Sequence, residues 1–319
     1  MSELTEALHQ GFRKITLANE HLEVSVLPEL GGKLIALRRP GGPNVLLEPP
    51  DFPYRAANLN DSFELYDTSG FDECFPTVAA CPDPDEKGAA LPDHGELWSA
   101  AFRDEWLPHT ESLRTSVNGK LWSFTFSREL RLIGDALRLD YTVRSSVRRH
   151  FLWSAHPLLK VSEGSKIFLP TEVKSLVVES SRGNRLGKKG DRVSWNEPLA
   201  TVGPPSLGFA EKLFTDAVTD GWCAFWDAAS NQTIEFRFDV KKTPYVGLWI
   251  SQGGWPESRP SKHFTAALEP CTGRPDALDQ AVMRGEARVT TEDTPEQWWL
   301  EIRVRQGKPN GPALEKRSP

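Results

Sequence analysis

Short runs of alternating or continuously apolar residues, divided by glycine, proline, asparagine and aspartate, recur along most of this sequence. Alternation is most regular in Thr233–Phe238 and Leu137–Val143. This periodicity is typical of strands with one buried face. The pattern predicts strands at Leu22–Leu27, Lys33–Leu37, Leu121–Phe126, Ala136–Val143, Ser175–Val178, Thr233–Phe238, Tyr245–Ile250 and Trp298–Val304.

Turn and helix signals complete this picture. Gly134-Asp135 and Asn118-Gly119 each follow or precede a predicted strand and favour hairpin turns. Helix signals are scarce. Ser2–His9 is predicted to form a turn or two of helix with Ser2 as its cap. Asp276–Gly285 is predicted to form another, because proline precedes it and a glycine suits its end.

The spacing of these elements predicts an all-β fold. Strand-like runs follow one another about every ten residues, without a long linker or an internal repeat. We therefore expect residues 1–306 to form a single domain, a large antiparallel β-sandwich with few short helices. Residues 307–319 are rich in glycine, proline and polar residues and are expected to be a disordered tail.

Composition narrows the function classes. A net charge of −6, with only short basic runs, argues against a nucleic-acid-binding surface. No stretch approaches the roughly 20 apolar residues of a membrane span, and the N-terminus does not resemble a signal peptide. The four cysteines lack a metal-ligand or disulfide spacing, so we expect free thiols, no metal site and a cytoplasmic location.

Three ionisable residues are the candidates for chemistry. His156 and Glu269 each end a strand-like run and are followed directly by proline. His94 lies in a loop that also contains proline and glycine. Two histidines and a carboxylate, with no nucleophile and no metal spacing, favour proton transfer over covalent chemistry. The other five histidines have no motif and are expected to be surface or packing residues.

The tryptophan content suggests a sugar ligand. The sequence has eleven tryptophans, most of which are expected in the core, but an indole face also stacks well on the C–H face of a pyranose. Trp249 and Trp255 bracket a glycine pair shortly before Glu269, so either indole, with Gln252 between them, is a candidate sugar contact. Trp98, just after His94, is a further candidate.

These motifs together resemble the aldose 1-epimerase family, which has the galactose mutarotase-like β-supersandwich fold. The resemblance covers most of the chain. It rests on the segments Leu30–Leu37 with Gly41 and Asn44–Leu47, Asp93-His94-Gly95, Ser154-Ala155-His156-Pro157, and Leu268-Glu269-Pro270 followed by Pro275-Asp276-Ala277.

The resemblance implies roles for the three candidates. Glu269 would be the general base that removes the proton of the anomeric hydroxyl of a free hexose. His156 would be the general acid that protonates the ring oxygen, and His94 would hydrogen-bond a substrate oxygen. Such an isomerase needs an acid and a base on opposite sides of the ring and no cofactor.

The chain departs from the family at two positions. Glu96 follows His94-Gly95 where the sugar-phosphate branch has a nearby arginine, which disfavours phosphosugars. Gly70–Thr77 stands where the galactose branch has an Asn-Arg pair. Asp72 and Glu73 in this segment either line the pocket in place of that arginine or belong to a surface loop. Arg274 is a candidate ion-pair partner of Glu269 or Asp276.

Two further interpretations stay open. One is a carbohydrate-binding or regulatory protein that kept the cleft and lost turnover, which the missing arginine motifs favour. The other is a lyase or hydrolase built on the same sandwich. Those enzymes carry an additional helical domain, for which 319 residues leave no room.

Overall fold

The computed structural model describes residues 2–292 and 294–309, and most of the predicted tail lies outside these residues. Strands in the first half of the chain are β1 (Glu3–His9), β2 (Phe12–Ala18), β3 (Glu23–Leu27), β4 (Lys33–Arg38), β5 (Phe71–Cys74), β6 (Cys81–Pro82), β7 (Ala90–Leu91), β8 (Arg103–Leu107), β9 (Ser112–Asn118), β10 (Phe124–Ile133), β11 (Ala136–Ser145), β12 (His150–Phe151), β13 (Ser154–Pro157) and β14 (Leu159–Lys160).

The second half supplies the remaining elements. Its strands are β15 (Lys166–Phe168), β16 (Ser175–Ser181), β17 (Arg192–Ser194), β18 (Phe209–Phe214), β19 (Trp222–Asp227), β20 (Gln232–Phe238), β21 (Tyr245–Gln252), β22 (Phe264–Cys271), β23 (Arg288–Val289) and β24 (Glu296–Gln306). Two short α-helices occur in the described chain, α1 (Glu197–Ala200) and α2 (Leu278–Arg284). Single turns of 3-10 helix lie at Phe63–Leu65, Leu97–Ser99, Arg182–Asn184 and Pro205–Leu207.

Two large antiparallel sheets form the fold, as the sequence predicted. The first has the order β1-β2-β3-β4-β5-β13-β22-β21-β18-β16-β17, with β14 also paired to β22. The second has the order β15-β19-β20-β24-β11-β10-β9-β8. One hydrophobic cluster contains residues of both sheets, among them Leu248 and Leu268 of the first and Leu139 and Leu300 of the second.

The two sheets differ in how they are covered, and this explains where sequence alternation is clear. β11 and β24 alternate buried and partly exposed residues, because the outer face of the second sheet is open to solvent at these strands, whereas all seven residues of β20 in the same sheet are buried. All four residues of β5 and of β13 are buried, as are seven of the eight in β22. The outer face of the first sheet is therefore covered by other segments of the chain at these strands.

Most element predictions are confirmed. Each of the eight predicted runs overlaps a strand, and Ile133 pairs with Ala136 across the Gly134-Asp135 turn. β9 and β10 also form a hairpin, although their connection spans residues 119–123 rather than a tight Asn118-Gly119 turn. The helix predicted at Asp276–Gly285 exists, begins two residues later and ends at Gly285, which has the left-handed φ of 70°.

The helix predicted at Ser2–His9 is wrong. This segment is β1, and it pairs along its whole length with β2, from Glu3 opposite Ala18 to His9 opposite Phe12. Its apolar residues Leu4, Ala7 and Leu8 have a spacing that also suits a helix, but the edge of the sheet supplies hydrogen-bond partners that outweigh this weak local preference.

Two other sequence predictions concern the fold. All four cysteines are free and buried, which confirms the expectation of unpaired thiols. No helix in the described part of the chain is long and apolar enough to cross a membrane.

Candidate active site

A cavity of about 200 Å³ opens on the outer face of the first sheet. At roughly 30 Å³ for each water molecule, it would hold about seven waters, which is the scale of a single small ring compound. The three sequence candidates for proton transfer all face it. Its lining consists of Phe63, Val78, Ala79, Asp93, His94, His156, Leu158, Ser180, Lys212, Trp249, Trp255, Glu269 and Asp276.

Strand register explains how distant parts of the chain meet here. Lys212 on β18 pairs with Trp249 on β21, and Gly247, two residues before that tryptophan, pairs with Glu269 on β22. Residues directly opposite in neighbouring strands, and residues two apart in one strand, point to the same face. The register therefore brings Lys212, Trp249 and Glu269 to the cavity side, while Leu248 and Leu268 point into the core between the sheets.

Glu269 is fully buried at the base of the cavity. Its Oε2 accepts hydrogen bonds from the Lys212 ammonium and from the Ser154 hydroxyl, the latter at 3.4 Å. Its Oε1 has no hydrogen-bond partner within the described chain. Gly247 makes room for this side chain, because a Cβ there would lie 3.3 Å from Oε2 and 3.1 Å from the Phe214 ring. One carboxylate oxygen is thus fixed while the other is left for a ligand.

Lys212 also bridges to a second carboxylate. Its Nζ lies 3.5 Å from Oδ1 of Asp276, in the segment between β22 and α2. Burial lowers the pKa of Lys212, but Asp276 and Glu269 outweigh that effect and hold the pKa above its ordinary value. Burial raises the pKa of Asp276, and Lys212 opposes the rise. Lys212 is therefore a permanent cation, which excludes it as a general base near neutral pH.

The two histidines lie side by side in the lining of the same cavity. Their ring centroids are 5.0 Å apart and nearly perpendicular, and the His94 ring stacks on Phe63 at 4.0 Å. His94 Nδ1 lies 3.0 Å from a carboxylate oxygen of Asp93. His156 Nδ1 is buried and unpartnered among the described residues. Burial first, and then the nearby His94 and Lys212, lower the pKa of His156 well below 6.5.

The His94 loop has a strained backbone that fixes this histidine. His94 has a φ of 58° and Gly95 a φ of 69°, both in the left-handed region. The His94 amide donates to the Val78 carbonyl at 2.7 Å, and the Glu96 amide donates to the Phe75 carbonyl at 2.8 Å. A Cβ on Gly95 would lie 2.0 Å from that carbonyl oxygen, so only glycine fits.

Aromatic side chains form the walls of the cavity. Trp249 and Trp255 both line it, with their rings 5.8 Å apart and perpendicular. Trp98 does not line the cavity. It packs edge-on against Phe63 at 5.3 Å and its indole N–H donates to the Asp93 carbonyl at 3.2 Å, so it supports the wall from behind.

Asp72 and Glu73 do not line the cavity, which was one of the two alternatives for them, because both carboxylates are paired with cations elsewhere inside the protein. Asp72 pairs with His156 across β5 and β13 but forms an ion pair with Lys33 at 3.0 Å, beneath the cavity. Burial raises the pKa of Asp72 to about 6, and Lys33 opposes the rise.

Glu73, the next residue along β5, points to the opposite face and lies between the sheets. Its carboxylate accepts hydrogen bonds from Arg128 at 2.7 Å, Trp153 at 2.7 Å and Tyr141 at 3.0 Å. Neither Glu73 nor Asp72 belongs to a surface loop, which corrects the alternative interpretation as well.

Three other predictions are also corrected. Gln252 lies three residues after Trp249 on β21 and therefore points to the opposite face, where it accepts a hydrogen bond from the Gly203 amide at 3.0 Å. Glu96 turns away from the cavity and accepts a hydrogen bond from the Lys120 amide at 2.7 Å, so it cannot repel a phosphate there. Arg274 pairs with Glu286 and Asp216 instead of Glu269 or Asp276.

Sequence reasoning missed Lys212, Asp276 and Phe63 as cavity residues. A charged residue inside the apolar run Phe209–Phe214 was the available signal for Lys212, since a buried lysine needs a buried anion. Phe63 lies in a 3-10 turn within a long irregular segment and carries no local signal. No cluster of three or more metal-ligating side chains occurs in residues 2–292 and 294–309.

Comparison with known proteins places this geometry in a known fold. No family model matches the chain, and no curated protein matches it by sequence. Solved structures do match. A galactose mutarotase-like protein from Clostridium acetobutylicum superposes with a TM-score of 0.69 at 12% identity, covering 96% of this chain and 99% of that one. This chain has the galactose mutarotase-like fold.

Other solved structures with this mutarotase-like fold agree. The Slr1438 protein from Synechocystis matches with a TM-score of 0.68 at 16% identity over 95% of this chain and 96% of that one. A protein provisionally assigned as an aldose 1-epimerase from Klebsiella pneumoniae matches with a TM-score of 0.71 at 13% identity, over 96% of this chain and 83% of that one. At such low identity the likeness shows the fold, and function has to be argued from the cavity.

Proposed function

We propose that this protein is an aldose 1-epimerase-like isomerase that interconverts the anomers of a free hexose by general acid–base catalysis. The observation that carries the proposal is the unpartnered Oε1 of the buried Glu269, which faces the same cavity as His94 and His156. Buried free thiols fit a reducing compartment such as the cytoplasm.

The roles follow from the surroundings of each group. Glu269 Oε1 takes the proton of the C1 hydroxyl, because this oxygen has no hydrogen-bond partner among the described residues while Lys212 holds the other carboxylate oxygen. The electron pair of that O–H bond forms the C1 carbonyl as the bond between C1 and the ring oxygen breaks. His156, in the fraction of molecules in which its ring is protonated, gives a proton to the ring oxygen, and His94 donates a hydrogen bond to a sugar oxygen. Rotation about C1–C2 and reversal of both proton transfers yield the other anomer.

Aromatic residues supply binding without charge. Trp249 and Trp255 offer apolar faces and edges for the C–H surface of a pyranose, and the polar atoms of Glu269 and the histidines meet its hydroxyls. This division into apolar walls and a few convergent polar groups is typical of small-molecule sites.

A sugar-binding protein without turnover is the second candidate. The close Lys212–Glu269 ion pair favours it, because the buried ammonium already occupies the carboxylate that would act as the base.

Exchange spectroscopy by NMR between α and β anomers, across a panel of aldoses, tests the proposal. We expect acceleration by the wild-type chain and a loss of about 10²- to 10⁴-fold in Glu269→Gln. Glu235→Gln is the matched control. Like Glu269, Glu235 is buried and ion-paired, in its case with Arg237, but it lies on the second sheet. Full activity in Glu269→Gln, or no acceleration of any aldose, would reject catalysis, and sugar binding without exchange would establish the second candidate.

A further inference from the structure

The charges that face the cavity are unbalanced. Asp93, Glu269 and Asp276 contribute three carboxylates, and Lys212 contributes the one ammonium among the described lining residues. The lowered pKa of His156 keeps its ring neutral near pH 7. An enclosed site lined by one sign of charge concentrates ligands of the opposite sign. The cavity therefore favours a cation over an anion.

Two carboxylate oxygens in the cavity lack hydrogen-bond donors. Glu269 Oε1 is fully buried, and Asp276 Oδ1 is buried with Lys212 Nζ at 3.5 Å as its ion-pair partner. Neither atom accepts a hydrogen bond from the described residues. A buried carboxylate oxygen without a donor is costly, so both atoms favour a ligand that brings donors of its own.

Asp276 is held rigidly in this position. Its carbonyl oxygen accepts hydrogen bonds from the amides of Val78 and Ala79, both at 3.0 Å, and from the Thr77 hydroxyl at 3.2 Å. These contacts join the Asp276 segment to the chain just after β5. The backbone that carries this carboxylate is thus fixed before a ligand arrives, which lowers the entropic cost of binding.

The Lys212 ammonium relates the two carboxylates in space. It contacts Glu269 on one side and Asp276 on another, so the two acidic groups flank one point of the cavity. With the anomeric hydroxyl at Glu269, the nearest further polar substituent of the sugar is the one on C2, because the ring oxygen on the other side of C1 carries no substituent. A second carboxylate beside Glu269 meets this substituent first. We propose that Asp276 forms an ammonium subsite and that the preferred ligand is a 2-amino-2-deoxyaldose, an inference that rests on the proposed sugar site.

Lys212 does not cancel this preference. It offsets one of three negative charges, so a second cation still meets a net negative surface. A sugar phosphate or a uronate would add negative charge to the same enclosed space and would be repelled. The carboxylates of Asp93, Glu269 and Asp276 would therefore repel a phosphosugar. Glu96 does not contribute, because it does not line the cavity.

Isothermal titration calorimetry on the full chain tests the subsite. The ligands are glucosamine, galactosamine, glucose, galactose, N-acetylglucosamine and glucose 6-phosphate, at about pH 6.5, below the ordinary pKa of an α-amino group. We expect each 2-amino sugar to bind at least about tenfold more tightly than its neutral counterpart, as for a hydrogen bond to a charged group. Glucose 6-phosphate should bind most weakly.

Two variants locate the effect. Asp276→Asn should bring the affinity for glucosamine to within about twofold of that for glucose. Glu179→Gln is the matched control, because this carboxylate influences Asp276 electrostatically but pairs with Lys189 at 2.6 Å and does not line the cavity. The control should keep the preference for glucosamine. If Asp276→Asn does not fold, the comparison of amino and neutral sugars on the wild-type chain still tests whether the cavity prefers an ammonium group.

The outcomes separate this inference from the proposed function. Equal affinity for amino and neutral sugars would overturn the subsite, even with anomer exchange intact. A preference for the amino sugars without anomer exchange would support the subsite and reject catalysis. A preference that survives in Asp276→Asn would place the ammonium elsewhere, and binding of none of the sugars would overturn both.

Discussion

Replacing Lys212 with methionine removes the one cation between two buried carboxylates. Lys212 is 5% exposed, and its ammonium contacts Glu269 and lies 3.5 Å from Asp276. Methionine keeps much of the side-chain volume, so the change acts mainly on charge. Glu269 and Asp276 are then left without a counter-ion in the cavity.

The magnitude follows from the geometry. At an effective dielectric constant of about 20, charges 3.5 Å apart attract by about 5 kcal/mol. The desolvation cost of Lys212 disappears with the lysine and offsets part of this loss. Breaking a buried pair typically costs about 3–5 kcal/mol. Proton uptake by one carboxyl relieves some repulsion, so we expect the free energy of unfolding to fall by about 3 kcal/mol at neutral pH.

Urea unfolding at about pH 7 and about pH 5 measures this effect. The loss should shrink at the lower pH, because a protonated carboxyl needs no counter-ion. Combining Lys212→Met with Glu269→Gln and Asp276→Asn should restore most of the stability. Lys189→Met is the control, because the Lys189–Glu179 pair has a partly exposed lysine and should contribute no more than about 1 kcal/mol.

Two results would refute the electrostatic explanation. One is a loss of less than about 1 kcal/mol in Lys212→Met, which would mean that the carboxylates find other compensation. The other is an equally large loss in the triple variant, which would assign the cost to packing of the lysine stem. Anomer exchange in Lys212→Met should also fall, because Glu269 loses the contact that holds its Oε2 in place.

Two further predictions concern the histidines. Burial holds the pKa of His156 well below 6.5, so the protonated fraction of its ring still increases as the pH falls from about 8 to 7. We therefore expect kcat/KM for anomer exchange to rise by up to about tenfold per pH unit over this range. His156→Gln should flatten this profile. A wild-type profile that is flat over this range would contradict the role of His156 as acid. Gly95→Ala should lower the free energy of unfolding by at least about 2 kcal/mol and weaken sugar binding by displacing His94. Gly88→Ala is the control, because Gly88 is also a left-handed glycine but no atom lies within 4 Å of the added Cβ. This variant should lower the free energy of unfolding by about 1 kcal/mol. An equal decrease in both variants would show that backbone strain alone explains the effect of Gly95→Ala.

The three candidates for proton transfer could be identified in the sequence because each has a recognisable sequence feature beside it. His156 and Glu269 lie at the ends of apolar runs before proline, and His94 lies before a glycine in a loop. The residues that surround them lack such marks. Asp72 and Glu73 are adjacent and equally acidic, yet one lies beneath the cavity and the other between the sheets. A one-residue step along a strand reverses the face, and the sequence does not reveal which face is covered.

What the sequence determined by itself is the all-β class and the eight strand-like runs that it marks, since alternation and apolar runs are properties of neighbouring residues. It misjudged Ser2–His9 because the hydrogen bonds that make this segment a strand come from β2 rather than from the segment itself. Only the tertiary structure decided that β18 lies two strands from β22, so that Lys212 meets Glu269 across 57 residues of chain. Strand order depends on long-range pairing and packing between sheets, and the charges of the cavity depend in turn on that order.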